Sequence, residues 1–247
     1  MFSREGSART DGQNRVVAGY LAFVGGFVNS CGFVLIGTFT SHVTGNVGRL
    51  ANDAALGHYA AAVAALTMVL FFFGGAFCAS VIVESRFLGG PTSRAYASAL
   101  ALEALLLVLF TALSYLTSAA AHPRVQDAEA ALLCAAMGLQ NALVTRLSGA
   151  VVRTTHLTGV ITDLGIECAR WFRFWGKSEG GPLPQVFGPN VAERPTLPKV
   201  LLLGTIAGAF FVGATAGAFS ATRLHHASML AAAAAVGVFA ILASRSG

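Results

Sequence analysis

Six stretches of the chain are almost unbroken in apolar character, and charged or turn-forming residues separate them. They run from about Val16 to Gly37, Ala60 to Val83, Ala95 to Leu116, Ala130 to Val152, Lys199 to Ser220 and His226 to Ala243. A hydrocarbon core of about 30 Å needs roughly 20 residues at 1.5 Å rise per residue. Each stretch is therefore of spanning length. The apolar positions are continuous rather than alternating, which points to helices and away from an outer-membrane barrel. Two intervening segments differ. Val47–Gly57 carries Arg49, Asn52 and Asp53 and is too short and polar to span alone. Leu157–Trp175 carries Asp163, Glu167, Arg170 and Arg173. The pattern predicts an all-α polytopic membrane protein of about six transmembrane helices, with a broken or re-entrant segment after spans one and four.

Those two interruptions share a sequence. Thr40-Ser41-His42-Val43-Thr44-Gly45 follows span one, and Thr154-Thr155-His156-Leu157-Thr158-Gly159 follows span four. Both read Thr-(Ser/Thr)-His-apolar-Thr-Gly. Self-similarity of this kind sets architecture before any single residue does. It predicts two related halves, residues 16–117 and 130–244, the second holding a Gly- and Pro-rich cytoplasmic loop at 176–198. Residues 1–15 read as a disordered cytoplasmic tail, followed by a retained first span rather than a cleaved signal.

Composition agrees. The chain is 55% hydrophobic and only 11% charged, with mean hydropathy +0.68. A soluble domain carries about 25% charged residues. The net charge of +5 reads as a topology signal, not a nucleic-acid surface. Of the 16 Lys and Arg residues, only Arg49, Arg124 and Arg223 fall in the loops of one side. The positive-inside rule then places both termini in the cytoplasm. Three spans per half invert the second half relative to the first. The His42 segment faces outward and the His156 segment inward. Cys31, Cys78, Cys134 and Cys168 stand singly in apolar surroundings, so neither a disulfide frame nor a metal site is expected. No cofactor or catalytic motif stands out.

The candidate binding residues are the polar groups at the interruptions and inside the spans. At the interruptions they are Thr40, Ser41, His42, Thr44, Asn46, Thr155, His156 and Thr158. Within spans they are Asn29, Gln140 and Asn141. A broken helix exposes backbone donors to a polar solute. The alternative is that the His residues cap helices and the amides make interhelical hydrogen bonds. Glu103, inside span three, is a functional candidate because ionisable groups in hydrocarbon are costly. Arg146 and Asp163 are either coupling groups or a structural ion pair. Asp163 and Glu167 lie on one helical face with Arg170, which also fits a solvated face.

The stretches Phe39-Thr40-Ser41-His42-Val43-Thr44-Gly45-Asn46, Met137-Gly138-Leu139-Gln140-Asn141-Ala142 and Thr154–Gly165 carry a resemblance. The chain resembles the YoaK-type family of uncharacterised bacterial membrane proteins over roughly residues 16–243. One departure is Asn29, where the family more often has an acidic residue. The resemblance implies a bacterial inner-membrane location and no established substrate. The expected function is a permease for a small polar solute or anion, working by alternating access between inverted repeats. The alternatives are a membrane-embedded enzyme using His42 or His156, and a scaffold or sensor acting through the 176–198 loop. The expected partners are the bilayer and the solute, and the Gly-rich faces permit a homodimer.

Overall fold

A computed structural model describes residues 10–85, 91–117, 123–147, 157–178 and 196–245. The described residues form eight α-helices and one 3-10 turn: α1 (Asp11–Ile36), α2 (Val43–Ala55), α3 (Tyr59–Ser85), α4 (Thr92–Thr117), α5 (Pro123–Leu147), α6 (Leu157–Ser178), α7 (Leu197–Leu224), the turn His225–Ala227 and α8 (Ser228–Arg245). The described residues are all-helical, and their apolar helices are those of a multi-pass membrane protein. Five stretches are long and apolar enough to cross a bilayer: Gly12–Ile36, Tyr59–Ser85, Thr92–Leu116, Val125–Leu147 and Leu197–Arg245. The last, at 49 residues, contains two helices. The chain breaks at His225, whose φ of 49° is unusual for a residue with a Cβ.

Boundaries moved where local chemistry outweighs hydropathy. α1 begins at Asp11, inside the expected 1–15 tail, because Thr10 and Gln13 form a reciprocal capping box. α5 begins at Pro123, seven residues before the expected start of span four. Proline suits a first turn, where its missing N–H costs nothing. The segments after spans one and four are both helical, α2 and α6, and neither is among the apolar stretches of spanning character.

The helices pack in a symmetric pattern. α1, α5, α4 and α8 form an inner ring, each touching the next and α8 returning to α1. Outside it, α7 lies along α1 and α3 along α5. α2 packs on α3 and α6 on α7. Exchanging the first four helices for the last four leaves this contact pattern unchanged.

Glycine makes the two largest contacts possible. A Cβ on Gly26 (α1) would collide with the Phe210 carbonyl (α7), and one on Gly213 (α7) with the Phe23 carbonyl (α1). The other crossing repeats this. Gly75 (α3) faces the Ala135 carbonyl (α5), and Gly138 (α5) faces the Phe72 carbonyl (α3). In all four segments the residue that supplies the carbonyl precedes its own glycine by three: Phe23/Gly26, Phe72/Gly75, Ala135/Gly138 and Phe210/Gly213. Each crossing is thus two interlocked copies of one local arrangement. Small residues let backbones approach this closely in a bilayer. Gly217 adds a third contact of the same type, against Phe27. Gly204 and Gly208, earlier on α7, meet nothing within 4 Å. Gly74 instead helps line an apolar cleft of about 420 Å³ with Leu70, Cys78, Leu102 and Leu106, between α3 and α4.

The crossing predicts a sharp contrast. Gly138→Ala should destabilise by about 1–3 kcal/mol, the usual cost of overpacking, because a backbone carbonyl cannot rotate away. Gly208→Ala should be neutral or slightly stabilising. Thermal unfolding of the two variants in detergent would show the difference; equal midpoints would refute the role given to the crossing.

Candidate functional site

Polar groups gather in three places. The first is the break between α1 and α2. α1 stops at Gly37, which takes φ 72° and sends its N–H back to Phe33. Glycine adopts this left-handed conformation without a Cβ clash. Asn29, nearly buried, closes the break from within: its Oδ1 accepts from the Ser41 N–H and from Ser41 Oγ, each at 3.1 Å. Thr40 is buried and its Oγ1 finds no partner among the described residues. His42 stands at the start of α2, but its side chain makes no cap hydrogen bond. It is exposed and sits edge-on to Phe39, at 6.5 Å between ring centres, and Phe39 stacks on Phe33 at 4.2 Å. The His42 ring also lies where a Cβ on Gly45 would be. This explains the His-x-x-Gly spacing: the ring folds over the first turn of α2, which glycine leaves bare. Asn46 is the buried residue of α2, whereas Thr44 is exposed.

The second place is α6. Thr155 and His156 lie outside the described residues. Thr158 and Asp163 are exposed. Arg146 pairs with Glu84 of α3 and donates to Ser80 Oγ at 3.3 Å, so the expected Arg146–Asp163 ion pair is not what Arg146 forms. Glu167 corrects the solvated-face reading. Its side chain is 1% exposed, and Oε1 accepts from Lys199 Nζ at 2.8 Å and Arg170 at 2.9 Å. Helical spacing brought Arg170 to it, but the partner that draws it inward is Lys199, from the start of α7. The Lys199 hydrogen bond, with both positive charges, holds the Glu167 carboxyl below the usual carboxylate range against the opposing effect of burial.

The third place is the inner ring. Tyr20 of α1 donates to the Ala235 carbonyl of α8 at 2.6 Å and stacks on Phe239 at 4.5 Å. It lies within electrostatic reach of Glu103 on α4. Gln140 of α5 donates through Nε2 to the carbonyl of Leu21, the residue beside Tyr20. Glu103 and Gln140 are both fully buried, at 0% exposure. Both oxygens of Glu103 and the Oε1 of Gln140 have no hydrogen-bond partner among the described residues. Hydrogen bonds thus join α8 and α5 to α1 at the level of residues 20–21, and Glu103 is buried on the fourth helix of the ring. Asn29 lies nine residues further along α1, or roughly 13 Å at 1.5 Å per residue.

Of the expected residues, the ring locus takes Gln140 and Glu103, and the α1–α2 break takes Asn29, Thr40, Ser41, His42 and Asn46. Asn141 is half-buried and accepts from Thr145 through its carbonyl. Among the polar residues that the sequence reading does not single out are Tyr20, part-buried, and Glu129, buried. Tyr20 was passed over as an aromatic in an apolar run, although a hydroxyl at mid-span needs a partner. Glu129, just outside the apolar stretch that starts at Ala130, is buried in α5 and accepts from Ser114 Oγ at 2.6 Å.

The chain belongs to the DUF1275 family, described as a protein of unknown function, whose model matches residues 17–242. This is the YoaK-type family that the sequence resembles. Comparison with curated proteins and with solved structures gives no match.

Two outcomes follow from these contacts. Glu167 has a depressed folded-state value, so its stabilisation is present above the unfolded value near 4.5 and is lost as pH falls below it. Glu167→Gln should lower the melting temperature at pH 7, and the gap to wild type should close at acid pH. A gap independent of pH would remove the ionic clamp. At the break, Asn29→Ala should leave the Ser41 N–H unsatisfied at about 1–3 kcal/mol. A cysteine at Ser41 should then react faster with a maleimide than in the Asn29 background; an unchanged rate would show that Asn29 does not hold the break.

Proposed function

We propose that this protein is a permease of the bacterial inner membrane for a small polar solute. On this reading α1, α3, α4, α5, α7 and α8 each cross the bilayer. Both termini are cytoplasmic, and α2 and α6 lie at opposite faces. The halves α1–α4 and α5–α8 are then inverted repeats, and the solute is bound where they meet. The observation that carries the reading is the ring locus: Tyr20 bonds an α8 carbonyl, Gln140 bonds the neighbouring α1 carbonyl, and Glu103 of α4 is buried in the same ring, with three acceptor atoms unsatisfied among the described residues. Transporters of inverted-repeat plan bind their solutes near the midplane between the repeats. Unsatisfied polar atoms inside hydrocarbon are costly, and a function is the usual reason they persist.

The interlocked crossings support it too. α1 holds to α7 and α5 to α3, so each pair takes one helix from each half. The pairs α1–α7 and α3–α5 can therefore rock against each other as rigid bodies. The groups described at the locus are acceptors and one hydroxyl. A solute bearing N–H or O–H donors suits them better than an anion does.

Counterflow in proteoliposomes, run against a panel of labelled amines, amino acids and polyols, tests the assignment. Gln140→Leu should slow the responding solute about tenfold, the equivalent of one lost hydrogen bond, while Asp127→Ala leaves it near wild type. Equal rates would remove the ring locus as the site. Single cysteines at Ser41 and Thr158 should label from opposite sides of the membrane. Labelling from one side would remove the inverted repeat.

A further inference from the structure

Among the described residues, Glu103 is a buried acid with both carboxyl oxygens unpartnered. It sits near the middle of α4, eleven residues from Thr92 and fourteen from Thr117. It is fully buried, and neither carboxyl oxygen meets a donor among the described residues. Other buried acids are treated differently. Glu129 has the Ser114 hydroxyl. Glu167 has Lys199 and Arg170.

Among the described residues the surroundings offer no countercharge. α8, which packs along α4, has no ionisable side chain from Ser228 to Ser244. On α1, Tyr20 is the titratable group in reach, and its hydroxyl is given to Ala235. On α5, Glu129 is engaged with Ser114 and Arg146 with Glu84, and Cys134 is a buried thiol packed with Met68 of α3. α3 brings Cys78, which is exposed, and Glu84, already paired. The 3-10 turn presents His226, which lies on Phe110, seven residues beyond Glu103. No described cation is placed to neutralise a carboxylate at this position.

An ionised carboxyl without donors or countercharge is strongly disfavoured in such a place, whereas the neutral acid loses far less by burial. The acid is not remote from the proposed pathway, because it shares the ring locus with Tyr20 and with Gln140.

We propose that Glu103 holds a transferable proton at the junction of the two halves, neutral when the site is empty and ionised when a cationic or donor-rich solute takes the proton's place. The permease would then exchange a proton for its solute. The carboxyl O–H bond breaks, the proton leaves to water on the open side, and the solute's donors satisfy the carboxylate. That role in transport rests on the permease reading. The proton on Glu103 does not.

Infrared difference spectroscopy on the full-length protein in nanodiscs tests it with D2O as the probe and no solute needed. At pH 7 the wild-type minus Glu103→Gln spectrum should contain the C=O band of a protonated carboxyl. That band should shift to lower frequency after transfer to D2O. Carboxylate bands in the difference spectrum would overturn the proposal, because Glu103 would be ionised at rest. A protonated band that never shifts in D2O would also overturn it, because the proton would be trapped. If Glu103→Gln fails to fold, Glu103→Asp keeps the acid, and movement of the same band assigns it. Solute counterflow by a protein with Glu103 ionised at rest would sink this proposal alone. A protonated, exchangeable Glu103 in a protein that moves no solute would sink the permease reading alone.

Discussion

The structure depends on four glycines that let helix backbones touch. Between spans in a bilayer there is little hydrophobic driving force, since lipid tails are as apolar as leucine. Close packing and weak backbone contacts must supply the association. Gly26 and Gly213 bring α1 onto α7, and Gly75 and Gly138 bring α3 onto α5. In each case the glycine accommodates the carbonyl of the residue that precedes the facing glycine by three. Because each crossing joins one helix from each half, neither half can close its packing alone. The inner ring of α1, α5, α4 and α8 follows from this, and with it the meeting of Tyr20, Glu103 and Gln140.

Much of this could be read from the chain, and the limits have physical causes. Apolar runs located the spanning stretches because hydropathy is a sum over some 20 residues and tolerates local error. Helix ends do not average in that way. Thr10 with Gln13 and Pro123 each start a helix earlier than hydropathy suggests. Gly204, Gly208, Gly213 and Gly217 looked equivalent in sequence, yet only the last two pack on α1. Which glycines matter depends on where a partner's carbonyl falls, and no one-dimensional spacing encodes that. Gln140 and Glu103 were legible because polar side chains within spans are expensive. Tyr20 and Glu129 were not: one is mostly hydrocarbon, and the other lies beside a run of charges that resembles a turn.

The repeated Thr-His-x-Thr-Gly stretch has a local explanation at its first copy. His42 lies over Gly45, with Phe39 and Phe33 stacked beyond it. This is a way to start a short helix just after a span has ended. The two short helices are also tethered alike. Asp53 of α2 meets Arg49 at 3.4 Å and lies 3.9 Å from His58, which directly precedes α3. Glu167 of α6 meets Lys199, in the first turn of α7. In each half an acid on the short helix reaches a basic residue at the entry to the next span. The α6 copy is the stronger, since Glu167 is buried and accepts from Lys199 at 2.8 Å, whereas Asp53 lies 3.9 Å from a largely exposed histidine.

That contrast between satisfied and unsatisfied groups separates structure from function. Asn29 spends its oxygen on Ser41, Arg146 its guanidinium on Glu84, and Glu129 its carboxyl on Ser114. Each is a polar residue whose presence the fold explains. An unpartnered hydroxyl such as Thr40 costs little beside a carboxyl, because it carries no charge in any accessible state. Glu103 is different in kind. An apolar residue there would avoid the cost of placing an ionisable group in hydrocarbon. Packing gives no evident reason for an acid at this position; on the permease reading proposed above, a polar solute would complete the hydrogen bonds that Glu103 and Gln140 leave open among the described residues.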